Sequence, residues 1–331
     1  MMNLESRRQF LKRASTVALM SGAVGAPGAA SPPRREKAQI AITLDLEMSR
    51  NFPEWENTEW DYQKGNLDDA AKQYTVDVCR RVKAKGGVVH SFVVGQVFEQ
   101  ANIDWLKEIV QDGHAVGNHT YDHVNVTART PERVQYRFKR APWLMEGRAP
   151  SEVISRNVRF CTEAMKDRLG IEPNGFRTPG GFRGGLAKFP DVQKMLLGQG
   201  FKWASCAYAG NFMTPSGERP NQKVFDSVVQ AQTASQPYRY PSGLIEIPMS
   251  PISDIGAFRT GRWPVKDFVK AIRGAVEWAI EHRAVFDFLC HPSCIGVVDP
   301  GFETVDMICD VVAAAGDRAE IVDLGRIAAT A

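Results

Sequence analysis

Apolar positions along the chain fall into short runs, and amphipathic stretches separate them. Residues 39–45 (QIAITLD) and 87–94 (GVVHSFVV) read as β-type runs. Between them, residues 66–85 place Ala70, Tyr74 and Val78 on one helical face. Residues 103–111 form a second helical segment, and a brief strand at 114–116 leads into Gly117-Asn118-His119. A helix over 151–169 is closed by Gly170. Further strands are expected at 175–177, 201–205, 244–247, 285–289 and 321–324, with helical patterns at 186–197, 265–282 and 304–315. Strands that alternate with helices imply a parallel sheet with helical crossovers. No repeat and no linker rich in Pro, Gly or Ser divides residues 31–331, so one α/β barrel-like domain is the economical expectation.

Two connections are longer than such folds usually need. Residues 48–65 carry Phe52, Trp55, Trp60 and Tyr62; residues 124–150 carry Arg137-Phe138-Lys139-Arg140 and Trp143. Loops after strands build the active face of an α/β barrel. Aromatic side chains there either stack on a sugar or anchor the loop. The basic run reads as a solvated face.

Composition alters this picture at one end of the chain only. With 331 residues, 44% hydrophobic and 24% charged, the chain is globular in composition, which excludes disorder and a disulfide-packed miniprotein. The formal charge is +3, from 41 Lys+Arg against 38 Asp+Glu. Residues 1–30 hold Arg7, Arg8, Lys12 and Arg13 against Glu5, which is the whole excess. Ser6-Arg7-Arg8-Gln9-Phe10-Leu11-Lys12, then an uncharged run rich in Ala, Gly and Ser from Ala14 to Pro33, resembles a twin-arginine export signal. Cleavage after Ala30 would leave Ser31 first and residues 31–331 neutral. Nucleic acid is then not an expected partner, and no further apolar run is long enough for a membrane anchor. The expected location is periplasmic or extracellular, reached through the twin-arginine export machinery. Six cysteines are scattered; Cys290 and Cys294 bracket His291, but a single such pair makes a poor structural zinc site.

Candidate chemistry concentrates in His119-Thr120-Tyr121-Asp122-His123. Histidines four apart share a face if the chain is helical there, and neutral imidazole suits zinc and other first-row divalent ions. Four further segments accompany it: Thr43-Leu44-Asp45-Leu46-Glu47, His90-Ser91-Phe92-Val93-Val94-Gly95, Gly175-Phe176-Arg177-Thr178-Pro179-Gly180-Gly181 and Phe288-Leu289-Cys290-His291-Pro292. In this order the five resemble the motifs of the polysaccharide deacetylase family, the NodB-homology carbohydrate esterases, from about Ile40 to the C-terminus.

That resemblance implies a distorted (β/α) barrel of about seven strands and a metal-dependent hydrolase acting on amide bonds other than peptide bonds. It makes Asp45 the general base for the attacking water. His119 and His123 become metal ligands, Arg177 the cation that keeps Asp45 ionised and aimed, and His291 the general acid. Zinc is the first expectation, with Co2+, Ni2+ or Mn2+ as alternatives. Leu46 stands where the usual second Asp would bind metal, so the resemblance is to a subset spelled Asp-x-Glu, and Glu47 is taken as the third ligand. Alternation along a strand lets Asp45 and Glu47 share a face that Leu46 cannot. Gly180 replaces a common aromatic, leaving Pro179, Gly180, Trp55 and Trp60 as the expected substrate contacts. Ala204 replaces the acidic residue that would orient His291; Asp254 is a substitute. The expected reaction removes N- or O-linked acetyl groups from a carbohydrate. The alternatives are an amidohydrolase acting on a small amide or cyclic ureide, and an inactive carbohydrate-binding protein.

Overall fold

A strand buried on both faces needs cover on both sides, and the first strand is of that kind. In the computed structural model, which describes residues 35–49 and 64–331, all nine residues of β1 (Ala38–Leu46) are buried. Its alternation sorts two environments. Ile40, Ile42, Leu44 and Leu46 join a core with Val78, Val82, Ala271 and Ile272 from the covering helices. Ala41 faces the other way, into a smaller cluster with Phe92, Trp203, Ile245, Ile247 and Val285. Thr43 and Asp45 continue that inner row toward the C-terminal end of the strand.

The remaining strands are β2 (Val89–Val93), β3 (Ala115–Asn118), β4 (Gly175–Phe182), β5 (Trp203–Ala207), β6 (Tyr238–Arg239), β7 (Ile245–Glu246), β8 (Val285–Cys290) and β9 (Ala319–Ile321). They form one nine-stranded sheet in the order β6-β7-β5-β4-β3-β2-β1-β8, with β9 also on β1. All pairings are parallel except β6 with β7. The sheet curls into a distorted barrel. No ladder among the described residues joins β7 to β8; the Ser250 N–H instead donates to the Asp287 carbonyl at 2.8 Å, and its hydroxyl accepts from Leu289 N–H at 3.3 Å. Trp203 plugs the interior, edge-on to His90 and Phe92. Gly175 makes room for it, because a Cβ there would lie 1.8 Å from the Trp203 ring.

Helices Asp69–Ala84, Asp104–Gln111, Pro150–Leu169, Pro190–Gly198, Val265–His282 and Glu303–Ala315 cover the sheet close to where periodicity places them. Outside residues 124–150, three helices among the described residues have no counterpart in the sequence pattern: Gln222–Ala234, Pro292–Val298 and Leu324–Ala329. The last corrects the expected strand at 321–324, since pairing with β1 ends at Ile321 and the Asp323 side chain caps a helix instead. Residues 124–150 are not a bare loop. They contain Pro131–Val134, Tyr136–Arg140 and Pro142–Met145, which bury Val134, Phe138 and Met145. The expected export signal, Trp55 and Trp60 lie outside the described residues. No helix among the described residues is long and apolar enough to cross a membrane.

Candidate active site

The inner rows of four strands end at one cleft of about 690 Å³, at the C-terminal mouth of the barrel. Its wall includes Asp45, Glu47, Lys64, His119, His123, Pro179, Gly180 and His291. Thus the described residues expected to bind metal, transfer protons or contact substrate line the cleft, whereas Arg177 and Asp254, expected to support them, are fully buried behind it.

Three donors converge there. The ligand atoms of Glu47, His119 and His123 lie within 4.8 Å of one another. His119 Nε2 is 3.5 Å from Glu47 Oε2, and His123 Nε2 contacts the same oxygen. The two histidines do not lie on a helix, contrary to the arrangement that would have put them on one face. They sit on a turn after β3, where Thr120 and His123 take positive φ of 61° and 57°. A β-branched residue in that region carries strain of about 1–3 kcal/mol. Fixed hydrogen bonds hold it there. Asn118 Oδ1 accepts from Thr120 N–H at 2.8 Å, the Thr120 hydroxyl accepts from Val124 N–H at 3.0 Å, and Asn157 Oδ1 takes the N–H groups of Tyr121 and Asp122. Asp122 is locked by Gln96, Asn157 and Arg137 at 2.8, 2.7 and 2.5 Å. Arg137 of the basic run is therefore tied to the histidine turn, not simply solvated.

The protonation states suit a cation. His119 Nδ1 donates to the Arg177 carbonyl at 3.0 Å, which orients the ring with Nε2 toward Glu47. Burial depresses His123 to about 4, so its imidazole is neutral. Burial alone would raise Glu47, but neighbouring His123 and Lys64 reverse that and hold it well below the carboxylate range. Glu47 Oε2 is buried and receives no hydrogen bond. A two-imidazole, one-carboxylate set with that oxygen left over fits a divalent first-row ion.

Glu47 reaches this point differently from the way simple alternation suggests. Pairing ends at Leu46, and Glu47 N–H turns back onto the Asp45 carbonyl at 3.0 Å. Ser293 of helix Pro292–Val298 then fixes it, donating to the Glu47 carbonyl at 2.6 Å and accepting from Ser49 N–H at 2.9 Å.

Asp45 lies on the other side of His119, 3.8 Å from its Nε2. Arg177 Nη1 reaches Asp45 at 3.4 Å, but its Nη2 is closer to a residue the motifs do not contain: Asp287 of β8, at 2.7 Å. Asp287 also accepts from Thr43 at 2.7 Å and Ser205 at 3.3 Å, and the guanidinium lies over Phe92 at 4.6 Å. Arg177 is thus fixed first by Asp287 and offers Asp45 its looser end.

His291 faces Asp45 at 4.0 Å through Nε2. Its Nδ1 donates to Asp254 Oδ1 at 2.8 Å, and its backbone N–H donates to Asp254 Oδ2 at 2.7 Å. Ala204 is buried on β5 and offers no polar group; Asp254, at the head of the π-helical turn Ile255–Thr260, takes the orienting place. Burial opposes charging His291, yet Asp254, aided by Asp45 and Glu47, outweighs it and raises the imidazole above its ordinary value. The flanking Cys290 and Cys294 are free and buried, with thiols pushed far up by burial.

Residues 66–188 match the family model of polysaccharide deacetylase. The chain is 32% identical over 72 residues to a chitooligosaccharide deacetylase of Azorhizobium caulinodans, a match spanning 22% of this chain and 34% of that protein. Both matches are partial, and the solved structures below share the fold at low identity. A polysaccharide deacetylase structure from Mycobacterium smegmatis superposes with TM-score 0.58 at 17% identity, covering 92% of this chain and 93% of that one. One from Pseudomonas aeruginosa PAO1 gives 0.60 at 12%, covering 89% and 91%. The PuuE allantoinase structure gives 0.59 at 13%, covering 93% and 97%. The matched deacetylase segment contains His119, His123, Arg177, Pro179 and Gly180; Asp45, Glu47, Asp254 and His291 lie outside it.

Proposed function

We propose that this chain is a divalent-metal-dependent hydrolase that removes N- or O-linked acetyl groups from a carbohydrate. One observation carries the reading. A Glu-His-His donor set shares its cleft with two separately braced proton-transfer groups, Asp45 and His291. A divalent ion, zinc first and cobalt, nickel or manganese as alternatives, would polarise the acetyl carbonyl and acidify the attacking water.

The chain's own residues do the rest. Asp45 accepts the proton of that water, aimed by the Nη1 end of Arg177. Asp287 keeps Arg177 in place from behind. His291 donates through Nε2 to the departing amine or alcohol while Asp254 favours its charged form. Gly180, at positive φ on the rim with Thr178 bonded to its carbonyl at 2.7 Å, exposes backbone that can donate to the developing oxyanion. A protein that only bound sugar would have no use for two carboxylate-supported acid–base groups, which argues against the inactive reading.

The partial match to a chitooligosaccharide deacetylase supports an acetylated sugar as substrate. The allantoinase likeness makes a small cyclic ureide the competitor that any assay must include. The export signal supports action in the periplasm or outside the cell. Detection by mass spectrometry of a secreted form starting at Ser31 checks that part. For the reaction, the purified zinc-loaded protein is incubated with N-acetylated oligosaccharides and, separately, with cyclic ureides. The expected result is acetate release that a chelator abolishes and added metal restores. Ring opening of a ureide without acetate from any glycan moves the protein to the competing class. Turnover of neither, with metal bound, overturns the reading.

A further inference from the structure

A fixed cation already sits beside the three donors. Lys64 Nζ donates to Glu47 Oε1 at 2.7 Å, and both side chains are only 7% exposed. The two oxygens of Glu47 are therefore sorted. Oε1 is taken by the ammonium, whereas Oε2 faces His119 and His123 and receives no hydrogen bond. Placing a lysine against a site that is to hold another cation costs electrostatic energy, so the arrangement calls for a compensating use.

The backbone around Lys64 is built to keep it there. Met48, next to Glu47, donates its N–H to the Lys64 carbonyl at 2.9 Å. Gly65 N–H donates to the Gln96 side chain at 3.3 Å, and Gln100 donates to the Gly65 carbonyl at 3.2 Å. Gly65 packs so tightly on Gln96 that a Cβ would lie 2.3 Å from the Gln96 Cβ. Gln96 in turn donates to Asp122 on the histidine turn at 2.8 Å. One glutamine thus braces both the lysine and the loop that carries the imidazoles.

We propose that Lys64 is a positioning residue that restricts Glu47 to ligation through Oε2 alone, leaving room on the ion for water and substrate. This rests on the metal-dependent reading above. Lys64 does not itself touch reacting atoms. Its effect is to hold a ligating carboxylate by hydrogen bond, a role whose loss weakens metal sites about ten- to hundredfold. A lysine that merely happened to be near would act in the opposite direction, since deleting a neighbouring positive charge tightens cation binding.

The sign of the change therefore decides. Zn2+ and Co2+ affinities are measured on the full chain by competition with a chelator, for the wild type, Lys64→Met and Lys64→Gln, with thermal melts run alongside. The expected outcome is binding about tenfold or more weaker in Lys64→Met, partly recovered in Lys64→Gln, which keeps a donor without the charge. The Co2+ visible spectrum gives a second readout. In Lys64→Met its bands should weaken and lose definition as the unheld Glu47 carboxylate no longer presents one fixed oxygen to the ion. Equal or tighter binding in Lys64→Met, or an unchanged Co2+ spectrum, overturns the proposal while the metal reading stands. Should Lys64→Met fail to fold, Lys64→Gln is judged by the same signs. If wild type and His119→Ala bind Co2+ equally poorly, the metal reading itself fails and takes this one with it.

Discussion

The two sides of the cleft are built on different principles. The ligand side is largely local: His119 and His123 come from one turn, and Glu47 from the end of β1. The proton-transfer side is assembled over long range. Asp45 depends on Arg177, 132 residues away, which depends on Asp287, 110 residues further on. His291 depends on Asp254, which arrives from a π-helical turn 37 residues upstream. A tight turn brings two of the three ligands together, with Glu47 added from the end of β1, whereas the proton-transfer pair must be aimed by buried charges from several strands. Loss of a ligand should therefore remove the ion while leaving the barrel intact, and loss of a brace should do the reverse.

The largest expected effect tests the ligand side. His119→Ala removes a ligand, so metal content per chain should fall to background by elemental analysis, while loss of the buried Nδ1 bond to the Arg177 carbonyl costs the metal-free protein about 1–3 kcal/mol. Retained stoichiometric metal would break the ligand assignment. Asp45→Asn tests the other side at nearly constant volume. Turnover should drop about 10²–10⁴-fold, the usual worth of a general base, while metal content stays at the wild-type level. Loss of metal in that variant would make Asp45 a ligand and erase the division drawn here.

The same contrast explains what could be read from the chain before its structure. The alternation of strands and helices and the histidine pair were visible because both are local. The apolar face and the spacing carry them. The supports were hidden because their partners are remote. Asn157 lies mid-helix in a segment that reads only as amphipathic, yet its amide organises the histidine turn. Lys64 has no local signal at all. Asp287 did leave one: a lone carboxylate inside Val-Phe-Asp-Phe-Leu-Cys, a strand otherwise fit for full burial, asks for a buried partner. The condition of a helix at His119 and His123 is not met, because the same spacing also serves a strained turn that hydrogen bonds hold in place.

Asp287→Ala sharpens the comparison through stability. It takes the closest carboxylate from the fully buried Arg177, leaving Asp45 at 3.4 Å as its remaining ion pair, and breaking such a pair costs about 3–5 kcal/mol. Denaturant unfolding of the metal-free protein should show that loss, whereas His119→Ala should show a smaller one. If both variants unfold alike, the two sides are not separately built.

The smallest effect is the most specific. Asp254 raises His291 above the ordinary imidazole value of 6.5, so the charged, proton-donating form persists to higher pH than an isolated histidine would allow. Activity that needs this proton is present below the raised value and is lost as pH climbs through it. Asp254→Asn keeps an oxygen for the backbone N–H but removes the charge. The alkaline limb of kcat should therefore move to lower pH, and kcat at its optimum should fall by about tenfold, part of a general acid's usual contribution. Stability follows the same sign in the metal-free protein. The His291–Asp254 pair contributes fully below pH 6.5 and fades as pH rises through the folded-state value, so wild type and Asp254→Asn should differ most in acid and converge toward alkaline pH. A pH profile of kcat that keeps its alkaline limb in place in Asp254→Asn would show that His291 is not the group titrating. The acid would then have to be sought elsewhere on the wall of the cleft.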